Sequence, residues 1–320
     1  MSPADLPVPI DPEFAEMLAM LPEIRITAET LPEFRDLLAA LQTTPPVDGV
    51  TAEEIDVDDH VSVRVLRDGR TEPGGADDVD GAARPAVLWI HGGGYVLGHH
   101  AMDDGHLGPW VLELGCIVVS VDYRLAPEHP YPTPLEDCYA ALRWLHQHAG
   151  DLGVDPDRIG VAGLSAGGGL AAALAVLARD RGELPIAFQL LDSPMLDDRR
   201  ITPSSNYDGL PVWNRHSNEF GWKAMLGDLA GRDDVPATAS PSRATDLSGL
   251  PPAFVVVGGA DGFRDEDIDY AVRLQQAGVP TELHVFPGAP HGFGLFVGSS
   301  IAQQAEAAQR NWLARQWGSS

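Results

Sequence analysis

Cysteine is nearly absent from this chain of 320 residues: there are two, Cys116 and Cys138. Two thiols cannot staple a chain of this size, which excludes a disulfide scaffold. Cys116 lies in an apolar run and Cys138 in a helical pattern, so both read as small buried hydrophobes. Long hydrophobic runs are missing as well. The longest, Gly169 to Ala178, is about half the roughly 20 residues a helix needs to cross a bilayer. Met1 to Ile10 has no basic n-region and no apolar h-region, so the sequence predicts no signal peptide and a cytoplasmic protein. Positive charge is scarce: Lys+Arg number 21 against 47 Asp+Glu, a net charge of −26, and Lys223 is the single lysine. A surface this acidic repels phosphate backbones, which makes nucleic acid a poor partner. Two accounts of the acidity stand side by side. One is coding bias plus solubility; the other is adaptation to high salt, where screening relieves self-repulsion.

What is present describes a globular chain, 44% hydrophobic and 21% charged, long enough for two domains or one large α/β domain with insertions. No repeat of 20–50 residues is visible. Two short amphipathic helical patterns, Pro12 to Leu21 and Pro32 to Leu41, each open near a proline, and Pro45-Pro46 stops the second. His60 to Arg67 alternates as a strand, with Val61, Val63 and Val65 on one face. Thr71 to Ala83, rich in Gly, Asp and Ala, reads as a mobile hairpin loop.

Beyond that loop, apolar runs recur at Ala86 to Ile90, Ile117 to Val121, Ile159 to Ala162, Ala187 to Leu191, Ala253 to Val257 and Leu283 to Phe286. Runs apolar on both faces are what strands of a doubly covered parallel sheet look like. Helical patterns separate them at His106 to Leu114, Leu135 to His148, Gly167 to Arg181, Glu266 to Ala277 and Ile301 to Trp317. The class is therefore α/β, wound with right-handed crossovers. Leu196 to Leu250 breaks the rhythm and reads as an insertion over the sheet edge. The expected organisation is N-terminal cap helices over 1–50, a first catalytic part over 51–195, a cap insertion over 196–230 and a second catalytic part over 231–320.

Gly163-Leu164-Ser165-Ala166-Gly167 joins a strand pattern to an alanine-rich helix, a G-x-S-x-G turn in the strand-turn-helix context it requires. Glycines are needed there because the turn is so tight that larger side chains would collide, and Ser165 is forced into a strained conformation beside a helix N-terminus. His91-Gly92-Gly93-Gly94 directly follows a strand, and unobstructed backbone N–H groups are what acyl transfer needs for a developing oxyanion. A nucleophilic serine also requires a base and a group to orient it. Asp261 falls just past one strand and His291 in the loop after the next, in the order Ser, Asp, His. Asp265, Glu266, Asp267 and Asp269 read as ordinary charge at a helix N-terminus.

His91-Gly-Gly-Gly, Asp122-Tyr123-Arg124-Leu125-Ala126-Pro127-Glu128, Gly163-x-Ser165-Ala166-Gly167, Asp261 with Arg264-Asp265-Glu266, and His291-Gly292-Phe293 together resemble the hormone-sensitive-lipase-like branch of the α/β-hydrolases, the bacterial family IV carboxylesterases. The resemblance covers the chain from about Arg64 onward. It implies an eight-stranded, mostly parallel sheet and a helical cap. It also implies that Ser165 is the nucleophile, His291 the general base and Asp261 its orienter, with the amides of Gly93, Gly94 and Ala166 as the oxyanion hole. Arg124 and Glu128 match a structural loop and read as a buried ion pair or scaffold. Two departures stand out: Leu164 replaces the usual Asp or Thr, and Gly262 replaces a proline, which loosens the loop after Asp261.

Tyr95, Leu164, Tyr207, Trp213, Phe220, Trp222 and Phe293 are candidates to line a substrate pocket, with cap core as the competing account. His99, His100 and His106 beside Asp103 and Asp104 lack metal-ligand spacing and read as a solvated loop near the pocket mouth. The expected activity is hydrolysis of short to medium acyl esters through an acyl-enzyme, with no metal or other cofactor, by a monomer or homodimer. An amidase, lactonase or sugar deacetylase of the same fold, and a non-catalytic small-molecule binding protein, stay open as alternatives.

Overall fold

Strands covered on both faces must send alternate side chains into two helical layers, and β3 (Arg84–Ile90) does so. Ala86, Leu88 and Ile90 enter one core while Val87 and Trp89 enter the other. The computed structural model describes residues 8–21, 24–41, 46–70 and 83–318. Of the expected mobile loop, Thr71 to Ala83, residues 71–82 lie outside these, as does Pro45.

Among the described residues the chain forms one sheet of eight strands in the order β1-β2-β4-β3-β5-β6-β7-β8. Its members besides β3 are β1 (Val50–Asp56), β2 (Ser62–Asp68), β4 (Ile117–Asp122), β5 (Val154–Leu164), β6 (Gln189–Asp192), β7 (Ala253–Ala260) and β8 (Thr281–Pro290). β1 and β2 pair antiparallel, as do β2 and β4, and every pair from β4 onward is parallel. The apolar runs from Ala86 to Val257 and Val61, Val63 and Val65 are buried, Ala187 only partly, but Leu283 to Phe286 departs from its patterning: it lies in β8 at the sheet edge, where Val285 is exposed and its neighbours are half-buried. β1 is an addition to that reading. Its residues are half-exposed or exposed, with Glu53, Glu54 and Asp56 among them, so an edge strand carries no apolar run to betray it.

α4 (Thr133–Gln147), α6 (Ala166–Arg181) and α8 (Arg264–Gln276) cover one face of the sheet. α3 (Asp104–Leu114) and α9 (Ser300–Gln316) cover the other, where Phe188 meets Trp312 and Trp317 edge-on. α5 (Ala149–Leu152) is a single turn leading into β5. No strand forms between β6 and β7; the helix of that stretch is α7 (Arg215–Leu226), which buries Trp222 and Met225. The N-terminal segment bearing α1 (Ala15–Met20) and α2 (Leu31–Leu41) is tied to it. Asn214 Nδ2–H donates to the Ile24 carbonyl at 2.5 Å, and the Ile26 N–H donates to Ser217 Oγ at 3.0 Å.

Candidate active site

The carboxyl ends of β5, β7 and β8 bring Ser165, Asp261 and His291 together at one rim of the sheet. Ser165 sits between β5 and α6 at φ +58°, ψ −120°, a strained conformation for a residue with a side chain. Its backbone is held on both sides. The Ser165 N–H donates to the Asp192 carbonyl at 2.8 Å, and its own carbonyl accepts from Gly169 and Met195, each at 2.9 Å. A Cβ on Gly163 would overlap Gly167, and one on Gly167 would overlap the Ile90 and His91 carbonyl oxygens, so the turn admits no side chain at either glycine.

His291 Nδ1–H donates to Asp261 Oδ2 at 2.7 Å, which leaves Nε2 to accept from the Ser165 hydroxyl at 2.9 Å. These are hydrogen bonds of normal length in a buried line: Ser165 is 4% exposed, His291 5% and Asp261 1%. Asp261 Oδ1 accepts from the Phe263 N–H at 2.9 Å, and the Phe263 ring stands edge-on to the imidazole. Gly262 does not leave this loop loose. Arg264 donates to the Gly259 carbonyl at 3.0 Å, and Ser204 Oγ–H donates to the Gly262 carbonyl at 2.9 Å, so side chains supply the restraint a proline would have given.

The glycine loop lies against the serine: a Cβ on Gly92 would contact Ser165 Cβ at 3.4 Å. Gly93 and Gly94 take φ values of +113° and +60°, and Ala166 opens α6, where first-turn amides have no helix carbonyl to bond. His91 anchors this loop. Its Nδ1–H donates to the Gly92 carbonyl at 2.8 Å and its ring stacks on Tyr123, whose hydroxyl donates to the His91 carbonyl at 3.0 Å. Burial lowers His91 to about 3, which keeps its imidazole neutral and unavailable as a base near neutral pH.

The pocket candidates divide. Trp213 is pressed onto Gly94 so closely that a Cβ there would overlap its ring. Leu164 lines a void of about 10 Å³ with Trp89, Asp103 and Asp192. Tyr95, Trp222 and Phe293 belong to the core instead. Tyr95 packs on Trp222 and donates to the Met195 carbonyl, while Phe293 packs on Phe14 and Phe286. Phe220 is half-buried against the main core, and Tyr207 accepts from Arg264 at 3.2 Å. Neither Ser165 nor His291 lines the cavity of about 610 Å³ between the α1 segment and residues 208–216; Leu210 does, and its Cδ1 lies 3.5 Å from where a Cβ on Gly262 would be.

Three expectations about charge are corrected. Asp103, Asp104 and His100 are buried rather than solvated, with Asp104 paired to Arg64 at 2.8 Å. Among the described residues no group of three or more His, Cys, Asp or Glu could hold a metal. Arg124 and Glu128 do not pair with each other: Arg124 binds Asp137 at 2.6 Å and Glu128 binds Arg35 at 2.8 Å. Glu266 and Asp267 are buried, not surface charge. Glu266 Oε1 accepts from the Leu196 and Asp197 amides, tying α8 to the segment that follows β6, and burial pushes both carboxyls well above the usual range.

The buried acids give stability a pH dependence of definite sign. Asp103 Oδ2 accepts from Trp89 Nε1–H at 2.7 Å, and Oδ1 has no partner among the described residues. Burial raises this carboxyl to about 6. An acid that holds its proton more tightly when folded favours folding at low pH, and that contribution is lost as pH rises from the unfolded value through 6. Asp103→Asn stays neutral and keeps the acceptor for Trp89. It is expected to gain about 1–3 kcal/mol over the parent at pH 8 and to match it near pH 4, read from urea melts across that range. A loss of stability at pH 8 would contradict the assignment.

Comparison with known proteins agrees with this architecture. The family model described as alpha/beta hydrolase fold matches residues 87–295. Esterase LipI of Mycobacterium tuberculosis is 41% identical over 244 residues, 73% of this chain and 73% of that protein. An arylesterase of Saccharolobus solfataricus is 32% identical over 305 residues, 88% of this chain and 94% of that one. Among solved structures, a bacterial heroin esterase superposes with a TM-score of 0.87 at 42% identity, covering 96% of this chain and 98% of its own. With its glycine loop, elbow serine and eight-stranded sheet, the chain belongs to the α/β-hydrolase family, in the hormone-sensitive-lipase-like branch.

Proposed function

We propose that this protein hydrolyses carboxylic esters of short to medium acyl chains through an acyl-enzyme on Ser165. The observation that carries the reading is the buried line from the Ser165 hydroxyl through His291 to Asp261, at 2.9 and 2.7 Å. Ser165 Oγ attacks the ester carbonyl while His291 Nε2 takes its proton. Asp261 holds the imidazole in the Nδ1–H tautomer and stabilises the imidazolium. The amides of Gly93, Gly94 and Ala166 receive the oxyanion, contributing about 10²–10³-fold for each donor. His291 then protonates the leaving alcohol and activates the water that frees the acid. The α1 and α2 segment and residues 196–230 serve as a cap over this centre, a role supported by the Asn214–Ile24 and Ile26–Ser217 bonds. The names of the relatives, esterase and arylesterase, support the same chemistry.

A p-nitrophenyl alkylphosphonate tests the reading, since it traps an activated serine as a stable adduct. The expected result is one adduct per chain on Ser165, with loss of p-nitrophenyl acetate turnover in proportion. Labelling elsewhere, or retained turnover at full labelling, would overturn it. Faster turnover of a matched anilide or lactone than of the ester would move the assignment to amidase or lactonase.

A further inference from the structure

The loop from His291 to Ser299 is rich in glycine and poor in packing on its outer side. Gly292 takes φ +64°, Gly294 and Gly298 follow, and Leu295 and Val297 are exposed. Glycine at this density widens the conformations open to a backbone. Restraint arrives from the other end of the chain. The Asp11 N–H donates to the Gly288 carbonyl at 3.0 Å, just ahead of His291, and a Cβ on Gly288 would come within 2.6 Å of that Asp11 nitrogen. Just beyond His291, Phe14 is fully buried and stands edge-on to Phe293 and Phe296, with ring centroids 6.5 and 5.8 Å away. A single helical turn over Pro12–Phe14, capped by the Asp11 side chain, sets the spacing between these two contacts.

Glu13 completes the strap. Its Oε1 accepts from Ser299 Oγ–H at 2.7 Å and from the Ile301 N–H at 3.0 Å, and its Oε2 accepts from the Ser300 N–H and hydroxyl, each at 3.0 Å. Ser299 Oγ in turn accepts from the Ala302 N–H at 3.1 Å. This is a capping box whose acid comes from outside the helix: the amides that open α9 are satisfied, and a carboxylate sits where the helix dipole favours negative charge. The Ser299 hydroxyl holds the Glu13 carboxyl below the usual carboxylate range, so it stays charged wherever a neutral imidazole can act as base. The loop is thus clasped both ahead of His291 and beyond it. His291 Nε2 must keep its 2.9 Å bond to the Ser165 hydroxyl while Nδ1–H stays on Asp261. We propose that Glu13 and Phe14 are positioning residues for His291: they fix the loop that presents the imidazole to Ser165, without touching substrate themselves. This inference rests on the esterase reading above and adds residues outside the triad on which its base depends.

Glu13→Ala, Glu13→Gln and Phe14→Leu test it, each read in three ways: kcat and KM for p-nitrophenyl acetate, the downfield proton resonance of His291 Nδ1–H recorded without substrate, and the melting temperature. In the parent that resonance is expected to be sharp, because the 2.7 Å bond to Asp261 is buried. Glu13→Ala removes four hydrogen bonds and is expected to lower kcat by about 10-fold or more and to broaden the resonance. KM should stay within about 2-fold of the parent's, because His291 serves both acylation and deacylation and the two steps slow together. Glu13→Gln keeps the length and one carbonyl acceptor, so it is expected to fall between the parent and Glu13→Ala in kcat and in the resonance. Phe14→Leu, an apolar side chain of shorter reach, is expected to lower kcat by about 3-fold or more in the same manner. Should Glu13→Ala fail to fold, these two milder variants carry the expectation. A purely structural strap would lower the melting temperature and leave kcat and the resonance at the parent's values, and that result in a folded Glu13 variant overturns the proposal. So does a rise in KM at constant kcat, which would place Glu13 in substrate binding. A parent inactive on every ester removes the esterase reading, whereas the resonance still decides whether Glu13 places the imidazole.

Discussion

Ser165→Ala is expected to cut ester turnover by about 10⁴–10⁶-fold while the protein stays folded. In the proposed mechanism the loss is large because the hydroxyl oxygen is the atom that bonds covalently to the acyl carbon. Without it, His291 and Asp261 have no nucleophile to activate, and oxyanion donors alone retain only a residual rate. The stability cost is small by comparison. The elbow is fixed through backbone groups, by the Asp192 carbonyl on one side and by the Gly169 and Met195 amides on the other, and alanine keeps all three bonds. Removing the hydroxyl leaves His291 Nε2 without its 2.9 Å partner, worth about 1 kcal/mol. For a chain of this length the melting temperature should therefore move by less than about 4 °C. Turnover within about 10-fold of the parent, in a preparation shown by mass to carry the substitution, would remove Ser165 as the nucleophile.

Gly167→Ala is expected to act on stability and activity together. A methyl group there would overlap the carbonyl oxygens of Ile90 and His91, both backbone atoms at the end of β3. No flexible side chain is available to move aside, so α6 must draw away from the sheet. Forced overpacking against backbone belongs to the severe class of substitutions, here about 3–5 kcal/mol. The displaced helix also carries Ser165 and the Ala166 amide with it, and a shift of about 1 Å at a reacting centre can cost about 100-fold in rate. Gly150→Ala is the matched control, because a Cβ at that position meets nothing within 4 Å. A Gly167→Ala protein that melts and turns over like Gly150→Ala would contradict the close approach of β3 to α6.

The two expectations rest on features of different legibility. The collision that requires glycine at 163 and 167 follows from the G-x-S-x-G turn, and the structure supplies only which carbonyls are struck. The strands were readable for a similar local reason. Doubly covered strands such as Ala86 to Ile90 must be apolar at every position, whereas β1, half-solvated at the sheet edge, has no such obligation and was missed. The charged groups were the least readable. Glu266 and Asp267 open α8 as any acidic first turn does, and nothing in their spacing says that one accepts the Leu196 and Asp197 amides while the other is fully buried. Aromatic type was equally silent. Trp213 and Trp222 lie nine residues apart in one insertion, yet one faces the glycine loop and the other packs into the core.

The chain's own residues determined the α/β class, the order of serine, acid and imidazole, and the need for small residues around the elbow, because these depend on local backbone geometry and on patterns of burial along one segment. Tertiary structure alone decided which polar groups lose their water and which aromatic ring lies against the glycine loop. Each of these is set by atoms distant in sequence: desolvation and close packing depend on what arrives from elsewhere in the fold, and a residue's identity does not encode its neighbours.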